Sequence, residues 1–207
     1  MNDFSATAAL AWGWQTFWKR PLLFIGFALV LGLVSWLVGG DAHPGDPLPI
    51  VTALAGIIVA IFLDMGATAF SLKAHDDLDA ASLSDLWHPD DFWHYLLASL
   101  LTGVVIVFGI ILLIVPGIIA AIMLLFAKFL VIDRHRRPIE ALKESARITK
   151  GKRFELFVLV LLIIAINLIG AMLLGVGLLV SVPVSMLAMA YAYRTLSREP
   201  GITATTL

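Results

Sequence analysis

Three polar side chains lie inside long apolar stretches of the 207-residue sequence and are its first candidates for chemistry: Asp64, Lys128 and Asn167. A charge at the bilayer centre costs on the order of 2.5–3.5 kcal/mol on insertion scales, so intramembrane charges are candidates for function. Asp64 and Lys128 fall at similar depth, which predicts an ion pair between two helical hairpins. Alternatively, Lys128 extends toward the interface and Asp64 bonds locally. Asn167 is expected to hydrogen-bond a neighbouring helix, with a substrate contact as the alternative.

A second group of reactive side chains lies in and just after the polar loop 73–91. Its members are His75, His88 and His94 with Asp76, Asp77, Asp79, Asp90 and Asp91. Histidine and carboxylate can bind zinc or manganese, but the tight spacing of a metal motif is missing, so we expect a solvated acidic loop. The chain has no cysteine, which excludes disulfides and thiolate sites. No nucleophile–base set is visible either, and we expect no enzyme activity, metal or cofactor.

A third group is cationic and lies in the segment 133–153. Its members are Arg134, Arg136, Arg137, Lys143, Arg147, Lys150, Lys152 and Arg153. Against three carboxylates they give this loop a net charge of +5, whereas one lysine against six aspartates gives loop 73–91 a net charge of −5. The two loops are expected to dock on each other, or the basic loop to face anionic lipid. Nucleic acid is not an expected partner at a bilayer surface.

The elements that carry these residues are predicted to be membrane helices. The sequence is 60% hydrophobic and 14% charged, with a mean hydropathy of +0.98. A soluble domain has about 25% charged residues, so lipid is the expected solvent. A crossing needs about 20 apolar residues. That length predicts six crossings, which are 21–39, 49–72, two within 92–132 with a turn at Pro116-Gly117, and two within 154–194 with a turn near Gly175.

Charge and aromatic residues predict the orientation. Thirteen of the fourteen Lys and Arg residues fall in the N-terminal region, the loops 73–91 and 133–153, or the C-terminal end. Short basic loops stay in the cytoplasm, which places both termini there. Aromatic residues are expected in a belt at the same face. They are Trp12, Trp14, Trp18, Trp87, Trp93, Tyr95, Tyr191 and Tyr193.

The crossings are arranged as three hairpins in one domain, 1–207, with approximate limits 1–72, 73–132 and 133–198. Pro49, Pro116 and Pro183 recur every 67 residues near the start of each returning helix, which favours parallel repeats. An amphipathic interfacial helix is expected before the first and third hairpins. The first carries the apolar stripe Leu10, Trp14, Phe17 and Trp18, and the third begins at Pro138 and ends before Gly151. A middle one, around Leu83, is short.

Two stretches carry a family resemblance. The segment 138–154, which follows Leu124-Leu-Phe-Ala-Lys-Phe-Leu-Val-Ile-Asp133, resembles a bacterial membrane pattern, as do Leu63-Asp-Met-Gly66 and Ser82-Leu-Ser-Asp-Leu-Trp87. They are similar to the membrane domain of some glycerophosphoryl diester phosphodiesterases and to YciC-like inner-membrane proteins. The resemblance implies a stand-alone domain of the bacterial inner membrane with an undefined role. It brings no catalytic residue, because the soluble phosphodiesterase domain is missing.

Two classes of function are compatible with these features. The favoured one is a non-enzymatic membrane protein whose basic cytoplasmic face contacts anionic lipid or a membrane partner. The alternative is a small oligomeric transporter or channel, with Asp64, Lys128 and Asn167 lining the path.

Overall fold

The computed structural model of the chain describes residues 4–38, 49–86, 91–173 and 175–197. All of the regular structure in these ranges is helical, which confirms the all-α prediction. The helices are α1 (Ala6–Lys19), α2 (Pro21–Val38), α3 (Pro49–Asp76), a 3₁₀ turn (Leu83–Leu86), α4 (Phe92–Leu112), α5 (Ile114–Met123), α6 (Ala127–Arg134), α7 (Pro138–Ile148), α8 (Arg153–Met172) and α9 (Leu178–Ser197).

Five spans within the described residues are long and apolar enough to cross a membrane. They lie in α3, α4, α5 with α6, α8 and α9. The pair α1 and α2, bent by 101°, brings the number to six if it is one span. Pro21 begins α2, where its fixed backbone angle suits the first turn and its missing N–H has no cost.

The first amphipathic helix, α1, has two different faces. Of its predicted stripe, Phe17 is buried, but Trp14 and Trp18 are about half exposed. Apart from Phe17, the buried residues of α1 are small, which allows α1 and α9 to approach each other closely. A Cβ on Gly13 would lie 2.7 Å from the carbonyl oxygen of Val184. Trp14 and Trp18 therefore face away from the bundle, on the side that an interfacial helix presents to lipid.

The reversal between α4 and α5 also corrects the prediction, since it lies at Leu113 rather than at Pro116-Gly117. Leu113 is extended (φ −162°, ψ 139°), and Pro116 occupies the first turn of α5, where proline is tolerated. Gly117 instead allows the two helices to touch. A Cβ there would lie 2.6 Å from the backbone nitrogen of Ile110, and one on Gly109 would lie 2.8 Å from the Cα of Gly117.

The fourth predicted crossing is not continuous. The helix breaks between Met123 and Ala127, and the N–H groups of Leu125 and Ala127 bond three residues back instead of four. Helix α7 follows as predicted, with Pro138 at its start and Gly151 just beyond it at φ +88°, a left-handed conformation that glycine adopts without strain. Its buried face lies against the protein.

Helix α9 forms the centre of the bundle. It contributes to both clusters of buried apolar residues, through Ala188 and Tyr193 in one and Val184 and Leu187 in the other. Pro183 lies inside this helix, as predicted. The threefold hairpin repeat stays a prediction.

Candidate functional site

The two predicted intramembrane charges are in contact. Lys128 Nζ donates a hydrogen bond to Asp64 Oδ2 over 2.5 Å, and Tyr95 OH donates to the same oxygen over 2.8 Å. Helices α3, α4 and α6 supply these three side chains. Tyr95 and Tyr193 are fully buried, so these two rings of the predicted aromatic belt face the interior of the bundle. A tyrosine at this depth needs a partner for its hydroxyl, and Asp64 provides it for Tyr95.

Thr68 completes the group, one helical turn after Asp64. Its hydroxyl donates to the backbone carbonyl of Asp64 over 2.9 Å and lies 3.2 Å from the hydroxyl of Tyr95. Lys128 Nζ also lies 5.8 Å from the centre of the Tyr95 ring, within the range of a cation–π contact. The four-residue spacing from Asp64 to Thr68 is readable in the sequence, whereas the approach of Tyr95 depends on tertiary packing.

Asp64, Thr68 and Lys128 line a cleft with a volume of about 410 Å³. The Asp64 and Lys128 side chains are 47% and 36% exposed, so the ion pair is accessible from outside the protein. Thr102 also lines the cleft, is 9% exposed, and has a hydroxyl without a hydrogen-bond partner in the structure. The other lining residues are Ala67, Ser71, Ile106, Ala121, Leu124, Leu125, Phe129, Ser185, Met186 and Met189.

Asn167, the third predicted candidate, is held by α9. Its Nδ2 donates to Ser185 Oγ over 2.8 Å and to the backbone carbonyl of Ile163 over 2.9 Å, while its Oδ1 accepts from Ser181 Oγ over 2.9 Å. It is not among the residues that line the cleft. This geometry is that of an amide joining two helices.

No pattern in the sequence predicted the polar contact at the helix break before Lys128. Ser145 of α7 accepts a hydrogen bond from the N–H of Phe126 over 3.1 Å and donates to the carbonyl of Met123 over 2.8 Å. Thr149 Oγ1 lies 3.4 Å from the same carbonyl. Ser145 and Thr149 are completely buried. One side chain thus satisfies a donor and an acceptor that the break leaves open, which an apolar environment requires.

The eight cationic residues of 133–153 form two groups of three, and two residues belong to neither group. Three arginines converge on the buried carboxylate of Glu144, at 2.5 Å from Arg134, 3.2 Å from Arg136 and 4.0 Å from Arg147. Arg134 is only 27% exposed, so it contributes mainly to this cluster rather than to an outer face. Glu144 lies on the buried side of α7. The cluster neutralises a carboxylate that would otherwise be costly to bury.

The second group faces outward. Arg137, Lys143 and Lys150 are exposed and form no ion pair within the described ranges. Lys152 and Arg153, the other two predicted members of the basic face, belong to neither group. Lys152 lies 3.9 Å from Glu155, and Arg153 lines a small groove with its Nε buried.

Ion pairs also join several helix ends. Arg194 of α9 binds Asp133 over 2.5 Å and also pairs with Asp76 at the end of α3. His135 Nδ1 lies 2.6 Å from Asp91. His135–Asp91 is the only pair in the described residues that joins loop 73–91 to loop 133–153. Extensive docking of the acidic loop on the basic loop is therefore not observed there.

The histidine and aspartate residues of the acidic loop do not assemble into a metal site in the part of the chain that the structure describes. Lys73 instead binds Asp85 over 2.6 Å, and the backbone N–H of Ser82 donates to the other oxygen of Asp85 over 2.8 Å. Burial raises the pKa of Asp85, but the hydrogen bonds from Lys73 and Ser82 outweigh it, so the net pKa lies below that of an ordinary carboxyl. His88, Asp90 and Trp87 lie outside the described residues.

Comparisons with known proteins place the chain among bacterial proteins of undefined role. It is 26% identical over 230 residues to the uncharacterized protein Rv2560 of Mycobacterium tuberculosis, covering 95% of this chain and 70% of that protein. The uncharacterized protein Mb2590 of Mycobacterium bovis matches to the same extent. No solved structure matches. No phosphodiesterase membrane domain is among the names found, so the comparisons support only the coarser expectation of uncharacterised bacterial homologues. The family model of the domain of unknown function DUF7847 matches residues 3–205, and the chain therefore belongs to that family.

Proposed function

We propose that this protein is a non-enzymatic, multi-pass protein of the bacterial cytoplasmic membrane that binds anionic lipid headgroups through the outer face of α7. Both termini lie in the cytoplasm, and the chain is similar to the membrane domains attached to some phosphodiesterases. The observation that carries the proposal is the set of three exposed cations without an ion-pair partner in the described residues, Arg137, Lys143 and Lys150.

The charge distribution within α7 supports this choice. The buried carboxylate Glu144 holds Arg134 in the protein, whereas Arg136 and Arg147 keep 48% and 59% of their side chains exposed. These two arginines therefore add positive potential to the outer face although they share a partner. The acidic loop offers this face only the contact between Asp91 and His135. Anionic lipid remains the abundant counter-charge at a cytoplasmic membrane surface.

Exposed apolar side chains accompany the cations. Ile139 in the first turn of α7 is 63% exposed, and Phe154 at the start of α8 is 78% exposed. A surface that combines basic and large apolar side chains is typical of the headgroup region, where the cations meet phosphates and the apolar groups enter the acyl boundary. A soluble protein partner would leave Phe154 without this second contact.

The helix ends support the proposed orientation. Arg194 at the end of α9 contacts Asp76 at the end of α3 and Asp133 at the end of α6, so these three ends lie on one side of the bundle. Helix α7 follows α6 directly. The basic segment is therefore on the same side of the bundle as the end of α9. Loops rich in Lys and Arg favour the cytoplasm.

The test is lipid binding by the full chain purified in a non-ionic detergent, with fluorescent phosphatidylglycerol as the probe. Neutralising Arg137, Lys143 and Lys150 together to Gln should remove about 1 kcal/mol per cation, or about 3 kcal/mol. That corresponds to a loss of affinity of roughly a hundredfold at low salt, with a smaller loss at high salt.

Glu140→Gln is the matched control, because it changes one exposed charge on the same helix in the opposite direction. It should leave phosphatidylglycerol binding unchanged or make it tighter. Lys143→Arg should retain binding, since it keeps the charge. Equal affinity of the triple variant and the unmodified chain would contradict the proposal.

A further inference from the structure

We infer that the cleft around Asp64 and Lys128 binds the headgroup of a zwitterionic phospholipid that carries a primary ammonium, the phosphatidylethanolamine class. This site is separate from the outer face of α7 and does not depend on it. Its ligand enters from the side, out of the lipid leaflet that borders α4 and the α5–α6 break.

The depth of the exposed ion pair is the first reason. Asp64 precedes Lys73 by nine residues of α3, and Lys128 precedes Arg134 by six residues of α6. At 1.5 Å per residue the pair lies roughly 9–14 Å inward from these cations. A helix that crosses a membrane is surrounded by acyl chains at that depth, yet both charges are about 40% exposed. An ion pair in contact with hydrocarbon is costly, so a polar group that covers it is strongly favoured.

Unused hydrogen-bonding capacity is the second reason. Asp64 Oδ2 accepts from both Tyr95 and Lys128, but Oδ1 accepts no hydrogen bond from any described residue. An ammonium has three donors, and Lys128 Nζ uses one of them on Asp64. The buried hydroxyl of Thr102 lines the same cleft without a partner in the described chain. The cleft thus offers Asp64 Oδ1 as an acceptor, two unused N–H donors of Lys128, and the hydroxyl of Thr102.

Charge balance selects a zwitterion. Asp64 and Lys128 are together neutral, so a ligand with a net charge would bring an uncompensated charge into a region of low dielectric constant. A zwitterion avoids this cost, because its phosphate faces Lys128 while its cation faces Asp64. A primary ammonium can donate to Asp64 Oδ1, whereas the trimethylammonium of a choline lipid has no N–H to donate.

The remaining lining identifies the source of the zwitterion as a lipid. Apart from the polar residues, the cleft is walled by apolar side chains, among them Ile106, Leu125, Phe129 and Met186. Such a wall suits the glycerol and the upper acyl chain of a lipid but not a free amino acid or aminoalkyl phosphate. A volume of about 410 Å³ lies within the range of about 300–1,000 Å³ that is usual for small-molecule sites.

The experiment measures equilibrium binding of three fluorescent lipids with identical acyl chains to the full chain in detergent. The lipids are phosphatidylethanolamine, phosphatidylcholine and phosphatidylglycerol. The unmodified protein should prefer ethanolamine to choline by about tenfold, the effect of one charge-assisted hydrogen bond. Asp64→Asn should abolish this preference, and Lys128→Gln should weaken both zwitterionic lipids. The triple Gln variant of Arg137, Lys143 and Lys150 is the control, which should lose phosphatidylglycerol binding but keep the ethanolamine preference.

Several outcomes would overturn the inference. One is equal affinity of the unmodified chain for ethanolamine and choline lipids, and another is an unchanged preference in Asp64→Asn. Displacement by an excess of soluble phosphoethanolamine would identify a water-soluble ligand instead. A dimer in which cross-links place Lys128 against a second copy would show that protein covers the cleft. If Asp64→Asn does not fold, the lipid comparison on the unmodified chain and on Thr102→Val decides the question. Thr102→Val should bind ethanolamine lipid several-fold less tightly than the unmodified chain.

Discussion

Ser145→Ala is the substitution that tests how the broken helix is held. The change removes one hydroxyl from the buried face of α7 and leaves both the N–H of Phe126 and the carbonyl of Met123 without their partner. A buried backbone group without a hydrogen bond costs about 1–3 kcal/mol. Two such groups predict a loss of about 2–6 kcal/mol in the free energy of unfolding, since Thr149 lies too far from Met123 to replace the bond fully.

This magnitude separates the break from ordinary polar contacts between membrane helices. Hydrogen bonds between side chains of membrane helices average about 0.6 kcal/mol, because the separated helices find other partners. The groups at Phe126 and Met123 differ, since backbone atoms at a break regain partners only if the helix closes. Closure would bond Ala127 N–H to the carbonyl of Met123 and would move every residue that follows.

The assay is SDS-induced unfolding of the purified full chain in mixed micelles, followed by far-UV circular dichroism. Ser99→Ala on α4 is the matched control, because the hydroxyl of Ser99 is buried without a partner in the structure and its removal should cost nothing. A loss of about 0.6 kcal/mol or less for Ser145→Ala, together with higher helicity, would show that α5 and α6 join into one helix. It would refute the view that Ser145 maintains the break.

Three further predictions concern other regions. Gly117→Ala should destabilise the chain by about 1–3 kcal/mol through overpacking, measured by the same unfolding assay, because its Cβ would lie 2.6 Å from the backbone of α4. Gly103→Ala, which meets open space, should be neutral or stabilising. The pKa of Asp85 is lowered in the folded state. The ionised Asp85 side chain therefore contributes fully to stability above the unfolded carboxyl pKa of about 4. This contribution is lost as the pH falls through the lower folded-state pKa. Thermal melts of the full chain should therefore show a smaller decrease between pH 5 and 3 for Asp85→Asn than for the unmodified chain, whereas a parallel decrease would contradict this. Because the chain lacks cysteine, an impermeant maleimide should label Val176→Cys in intact spheroplasts and Lys150→Cys only after permeabilisation; the reverse pattern would place the basic face outside.

Features that depend on residues close together in the chain could be predicted from the sequence. Apolar length predicts the spans, and Pro138 and Gly151 predict the limits of α7, because each of these signals acts within a few residues. The Asp64–Lys128 pair was predictable as a hypothesis, since similar depth in the membrane restricts the partners available to two opposite charges. The burial of Tyr95 was not, because a tyrosine near a membrane end suits the interface equally well until its neighbours are known.

The features that the sequence did not predict depend on long-range contacts or on residue types that are compatible with two local structures. The pair Pro116-Gly117 is typical of a turn. Proline is also tolerated in the first turn of a helix, however, and glycine also allows two helices to cross closely. In the structure, Pro116 and Gly117 have these second roles. The sequence Leu124-Leu-Phe126 contains no helix breaker at all. Its break depends on Ser145, nineteen residues beyond Phe126, and no local pattern reports such a contact.

The two faces of α7 have separate physical roles, and the break connects the inner one to the cleft. Bonding three residues back at Leu125 and Ala127 tightens the chain there, so the side chains after the break point differently from those of a continuous helix. Lys128 is the second residue of α6, and its reach to Asp64 depends on that rotation. A break in a membrane helix is stable only where its backbone is satisfied, which Ser145 does. The buried face of α7 therefore positions Lys128, whereas the exposed cations on its outer face are not part of the cleft.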